Sequence, residues 1–154
     1  MDFNHYFTNT EIESHLKEWE NQYPGLIQIS TFGQSHEGSP LWLATLTNKA
    51  SGSATTKPAI WLDGNIHATE LAGTTTVLYF LHQALSGYGI DERIPRLLDE
   101  ATFYAVPRIN PDGAAQALSD NPRFLRSGVR PYPWMELEEG LHVQDLDGDG
   151  RILQ

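Results

Sequence analysis

Cysteine is absent from the 154 residues. That excludes a disulfide framework, a thiolate-bound zinc or iron-sulfur centre and a thiol nucleophile. Any metal must therefore be held by histidine, carboxylate or backbone oxygen. Basic residues are scarce, 10 Lys and Arg against 20 Asp and Glu, for a formal charge of -10. The few cations do not cluster, so the chain lacks the surface that nucleic acid requires for counterion release, and no nucleic-acid partner is expected. Long apolar runs are also missing. The stretch from Leu71 to Leu85 is interrupted by Thr74, Thr75, Thr76, His82 and Gln83 and falls short of the roughly 20 apolar residues that span a bilayer. No membrane segment is expected. The N-terminus, Met1-Asp-Phe-Asn-His-Tyr6, shows neither the basic nor the apolar part of a secretory leader, which favours a cytoplasmic location.

What is present reads as alternating strands and helices. Thr10 and Glu13 have capping-box spacing, and Ile12, Leu16, Trp19 and Tyr23 recur at helical intervals until Pro24-Gly25; the pattern predicts a helix over about 10–22. Residues 26–32 and 41–46 have strand character, and Ser35 to Ser39 between them is turn chemistry, so a hairpin is expected. A Ser-, Thr- and Gly-rich loop over 48–57 leads to Pro58-Ala-Ile-Trp-Leu62, which has the composition of a buried strand. Helices are expected over 70–85 and 91–100, with a strand over 102–106. The alternation implies an α/β sheet with helices on its faces, and such sheets bind ligands beyond the carboxyl ends of their strands. Arg108 to Gly113 reads as turn-forming, and from Ser119 the chain is polar and rich in Pro, Gly and Asp. The reading divides the chain at 118, with 1–118 as the main unit and 119–154 as a polar continuation.

The most informative segment is Asp63-Gly-Asn-Ile-His67-Ala-Thr-Glu70, where the strand gives way to a helix. An imidazole and a carboxylate three residues apart can reach one ion from a single turn. The same pair has an ordinary explanation: Glu70 can complement a helix N-terminus, and His67 can be a half-buried histidine. The residues alone leave both open. Among the other histidines, His82 lies about 18 Å along the helix from Glu70 at 1.5 Å per residue, too far to share an ion. His5, His15 and His36 precede the segment, and His142 reads as a strand residue.

Four motifs in order, Tyr23-Pro24, Gly33-Gln-Ser-His-Glu-Gly38, Gly64-Asn-Ile-His67-Ala-Thr-Glu70 and Pro107-Arg-Ile-Asn110-Pro-Asp-Gly113, resemble the zinc carboxypeptidase (carboxypeptidase A-like) family over residues 5–130. The resemblance implies a mixed, mostly parallel α/β sheet with helices on both faces, present in incomplete form. It also implies zinc, with His67 and Glu70 as ligands, and hydrolysis of the C-terminal bond of a peptide or protein. In the family an arginine polarises the scissile carbonyl. The corresponding stretch, Asn121-Pro-Arg123-Phe-Leu-Arg126, has one extra residue, making Arg126 the choice and Arg123 the alternative. A catalytic zinc needs three protein ligands and an open position. The family's third ligand, general-base Glu and Asn-Arg carboxylate grip have no recognisable counterpart before Gln154, so the 154-residue chain alone is expected to be inactive.

The tail holds a second metal candidate. Asp145, Asp147 and Asp149, followed by Gly150, match the opening of an EF-hand loop and would suit calcium; an Asp-Gly turn entering a strand is the more ordinary explanation. Two other functions fit the scaffold: a zinc-dependent amidase or deacylase and, if the natural chain stops at Gln154, a non-catalytic calcium-binding module.

Overall fold

The computed structural model describes residues 1–130, 145 and 147–151; His142 lies outside them. Helix α1 spans Asn9–Gln22 and buries Ile12, Leu16 and Trp19, the face that the periodicity predicts. Its capping box lies two residues upstream of the expected Thr10–Glu13 pair. The Thr8 hydroxyl accepts from Glu11 N–H at 3.2 Å, and the Glu11 carboxylate accepts from Thr8 N–H at 2.7 Å. Both pairs have the same spacing; Thr8 takes the role because its backbone is extended (φ -71, ψ 165), as a cap requires. Thr10 is already helical, and Glu13 pairs with Lys17.

Strands β1 (Ile27–Gln34) and β2 (Pro40–Leu46) form the expected antiparallel hairpin, with Ile27 opposite Leu46 and Gln34 opposite Pro40. Two short 3-10 turns, Lys49–Ser51 and Ala54–Thr56, shape the following loop. Strand β3 (Ala59–Asp63) leads through helix α2 (Ala72–Ser86) and helix α3 (Arg93–Glu100) to strand β4 (Thr102–Val106). The sheet order is β1-β2-β4-β3. The tight hairpin imposes an antiparallel relation on β1 and β2, and the helical crossover permits the parallel pairing of β3 with β4. The sheet is mixed and the fold is α/β. Among the described residues no helix is long and apolar enough to cross a membrane.

The core lies between α1, α2 and one face of the sheet, built from Leu16, Ile27, Leu46, Leu78, Leu81, Leu85, Leu98 and Phe103. Contrary to the composition-based expectation, β3 is not buried: Ala59, Ile60 and Trp61 are exposed. Apolar composition identifies a strand but not its rank in the sheet. Among the described residues β4 lies between β2 and β3, and its Thr102, Phe103, Ala105 and Val106 are buried, whereas β3 pairs only with β4. Trp61 instead meets Phe32 of β1 edge to face, with ring centroids 6.4 Å apart.

A second correction concerns residues 108–113, expected as a turn. Asn110 caps a helix, α4 (Pro111–Ala117), with Pro111 at its first position. Asn and Pro are turn formers and also helix-start residues, and local sequence does not separate the two roles. Arg108, just upstream, is 5% exposed. Its guanidinium donates to Phe7 O at 2.7 Å, Asn9 Oδ1 at 2.8 Å and Thr74 Oγ1 at 3.3 Å. Burial holds its pKa down, at about 10, against a smaller opposing pull from the Glu11 carboxylate. Arg108 therefore fastens the N-terminal segment to α2 and the end of β4. Arg108→Ala should destabilise the protein by about 2–3 kcal/mol, because the Phe7 and Asn9 acceptors lose their donors in a buried setting. Urea denaturation of the two proteins measures that difference.

Candidate metal centre

The site begins where β3 ends. Gly64 N–H donates to Val106 O at 3.1 Å, keeping the strand pair together for one more residue. A side chain at Gly64 would bring its Cβ within 2.5 Å of the Gly73 carbonyl group and 2.9 Å of Thr74 N. Only glycine lets the start of α2 cross the exit of β3 this closely. Asn65 follows in the left-handed region, φ +56, and is buried to 3% exposure. Its side-chain amide donates to His67 O at 2.7 Å and Ala68 O at 3.2 Å, and its Oδ1 lies 3.5 Å from Thr74 Oγ1. Asparagine tolerates this backbone region better than most residues, and here its amide also holds the next bend from within.

That bend carries the candidate ligands. Glu70 N–H donates to His67 O at 3.2 Å, closing a turn that brings His67 Nδ1 within 2.8 Å of Glu70 Oε2. The expected helix start at Glu70 falls instead at Ala72. Glu70 belongs to the turn before α2, so the pair is held by a loop rather than by helical periodicity. Between them Ala68 is fully buried, while the His67 side chain is 34% and that of Glu70 60% exposed. The anchor points inward and both donor groups remain accessible. An imidazole nitrogen and a carboxylate oxygen are zinc-type donors, and atoms 2.8 Å apart are within reach of one ion with bonds of about 2.0–2.2 Å. The donor set therefore fits a zinc ion and would supply two of its ligands.

Arg126 reaches this turn through its backbone: Ala68 N–H donates to Arg126 O at 3.0 Å. Its side chain is exposed, and among the described residues no hydrogen bond or ion pair engages its guanidinium. Arg123 is half-buried and directs its guanidinium to Gln116 Oε1 of α4, 3.4 Å away. The remaining described histidines lie elsewhere. His82 stacks on Trp19 at 6.2 Å and packs against Phe3, and burial, reinforced by the N-terminal amine and His15, lowers its pKa. His5 lies 3.3 Å from Glu11 and His15 lies 3.7 Å from Glu18, while His36 is exposed at the hairpin tip.

Ligand atoms of Asp145, Asp147 and Asp149 lie within 4.8 Å of one another. Asp145 Oδ1 and Oδ2 accept from Gly148 N–H and Gly150 N–H, each at 2.8 Å, and these bonds, that from Gly150 foremost, lower its pKa. Gly148 and Gly150 have φ of +75 and +81. The described part of the loop is an Asp-Gly turn in which these carboxylate oxygens accept from its own backbone.

Two supporting residues were not recognised in the sequence as part of this region. Asn65 could have been suspected from its place after a glycine at a strand exit. Asp112, 6% exposed, accepts from Ser35 Oγ at 2.6 Å and Glu37 N–H at 3.1 Å. It thereby locks the hairpin tip to α4, a long-range pairing that no local pattern discloses.

The profile of the family described as zinc carboxypeptidase matches residues 12–132. Carboxypeptidase B of Astacus astacus is 35% identical over 121 residues, covering 79% of this chain and 38% of its own length. The inactive metallocarboxypeptidase ECM14 of Saccharomyces cerevisiae is 32% identical over 130 residues, covering 84% of this chain and 30% of its own. The crystal structure of thrombin-activatable fibrinolysis inhibitor superposes with a TM-score of 0.77 at 24% identity, covering 88% of this chain and 33% of that one. The chain thus spans about a third of the length of each.

Proposed function

The chain belongs to the zinc carboxypeptidase family, and from that membership we propose that the protein carrying it removes residues from peptide C-termini with a zinc ion held in part by His67 and Glu70. The observation that carries the proposal is the 2.8 Å approach of His67 Nδ1 to Glu70 Oε2 on a turn anchored by buried Asn65 and Ala68. When bound, zinc supplies Lewis acidity, polarising a carbonyl and lowering the pKa of water to about 7.

The residues of this chain have distinct tasks. His67 and Glu70 hold the ion at the carboxyl end of β3, the usual position for ligands of such sheets. Arg126 presents a fixed positive charge to the carbonyl oxygen as negative charge develops there, a role that preorganised donors perform with large effect. Its accessible guanidinium and its backbone bond to Ala68 favour Arg126 over Arg123, which is turned toward Gln116. The third ligand, the proton-transferring carboxylate and the grip on the substrate's terminal carboxylate are assigned to other parts of the protein.

A second reading, a family member without catalysis, is favoured by the yeast relative described as inactive. One experiment separates the possibilities. The whole protein is incubated with peptides and with N-acyl amino acids, before and after metal stripping by a chelator, and the products are followed by mass spectrometry. Stepwise loss of single C-terminal residues that stops on stripping and returns with zinc is the expected result. Release of acyl groups alone identifies a deacylase, and absence of turnover with zinc bound identifies the non-catalytic form.

A further inference from the structure

Asn110 does more than cap α4. Its Oδ1 accepts from Gly113 N–H at 2.9 Å, the cap itself. Its Nδ2 donates in two other directions, to Ile66 O at 3.3 Å and to Ser127 O at 2.7 Å. Ile66 immediately precedes His67, and Ser127 immediately follows Arg126. Its backbone N–H donates to Asn65 O at 3.1 Å. One side chain therefore spends both amide hydrogens on the two peptide units flanking the candidate ligand and the candidate arginine. Gly113 makes room for this arrangement: a Cβ there would meet Ala68 Cβ at 2.5 Å and the Asn110 amide at 2.9 Å.

We propose that Asn110 is a positioning residue that sets the His67 turn and Arg126 in register with each other. The two segments are far apart in sequence, and both donor groups are accessible, so packing around the side chains fixes them only weakly. The direct Ala68–Arg126 backbone bond holds one point. The Asn110 amide supplies further points on either side of it and connects them to the start of α4. Loss of these ties lets the arginine drift relative to the metal, and misplacement of a charge-stabilising group by even an ångström is costly to catalysis.

The inference rests on the carboxypeptidase reading, and its test separates the two. Asn110→Asp keeps an excellent N-cap acceptor for Gly113 but has no donor when ionised, so it severs the ties to Ile66 and Ser127 and spares the cap. Asn110→Ser retains a cap without the reach or the added charge. In the whole protein both variants should keep a melting temperature close to the parent's. Zinc affinity, measured by chelator competition without turnover, and kcat should each fall about 10-fold to 100-fold, the usual range for groups that orient a metal site; KM should change less than about twofold. A folded variant of either kind with parental zinc affinity and kcat overturns the proposal and leaves Asn110 as a cap alone. His67→Ala measured alongside tests the underlying reading: retention of zinc and activity there would remove His67 from the metal and overturn the proposed site, whatever Asn110 does.

Discussion

Zinc binding and peptidase activity are both expected to disappear when His67 or Glu70 is replaced by Ala. Each removal leaves the site one donor short of the three that a catalytic zinc requires. The fall in affinity should exceed the roughly 100-fold that loss of an outer partner produces, because the bond to the metal itself is lost. The apo protein should hardly notice. His67 is half-buried, Glu70 is exposed and their side-chain contact is with each other, so the metal-free variants should unfold within about 0.5 kcal/mol of the parent. Zinc should then raise the melting temperature of the parent but not of the variants, since a ligand at 100 times its Kd adds about 2.7 kcal/mol to stability. Thermal melts with and without zinc, beside metal analysis, check both halves. A variant that still gains stability from zinc would move the metal elsewhere.

Arg126→Ala should lower kcat by about 10²-fold to 10³-fold, the range seen when one donor to a developing oxyanion is removed. Little stability should be lost, because the guanidinium is exposed and unengaged among the described residues. Zinc affinity should also persist, which distinguishes this variant from those at His67 and Glu70. Arg126→Lys should recover only part of the rate, since an ammonium restores the charge without the planar fork. Arg123→Ala provides the contrast. Its side chain faces Gln116, so kcat should stay within a few-fold of the parent. A reversal, with the large loss at Arg123, would assign the carbonyl-polarising role to the other arginine. Steady-state kinetics on one C-terminal peptide substrate decide between them.

The parts of the molecule readable from sequence are those governed by neighbours in the chain. The buried face of α1 follows from Ile12, Leu16 and Trp19, and the hairpin follows from two strand-like runs around Ser35–Ser39. Three residues is a distance that one turn spans, so His67 and Glu70 could be paired from spacing, but it was the resemblance of four ordered motifs to the zinc carboxypeptidase family that implied a metal there. Where two local solutions were equally good, the sequence offered no means of choosing. Thr8 and Thr10 both have a Glu three residues on, and Asn110-Pro111 starts a turn or a helix with the same chemistry.

Composition thus supplied the acidic character without thiols, and local pattern supplied the strand and helix types other than α4 and the spacing of the histidine-carboxylate pair, because these depend on residues within a few positions of one another. Folding in three dimensions assigned the rest: among the described residues β3 to an end of the sheet order and β4 to an inner place, Arg108 to a buried clasp on Phe7 and Asn9, and Arg126 to the ligand turn with Asn110 between them. These outcomes rest on contacts between segments that meet only once the sheet order exists, and the Arg108 bonds form because a buried polar group must find a partner wherever the fold has carried it.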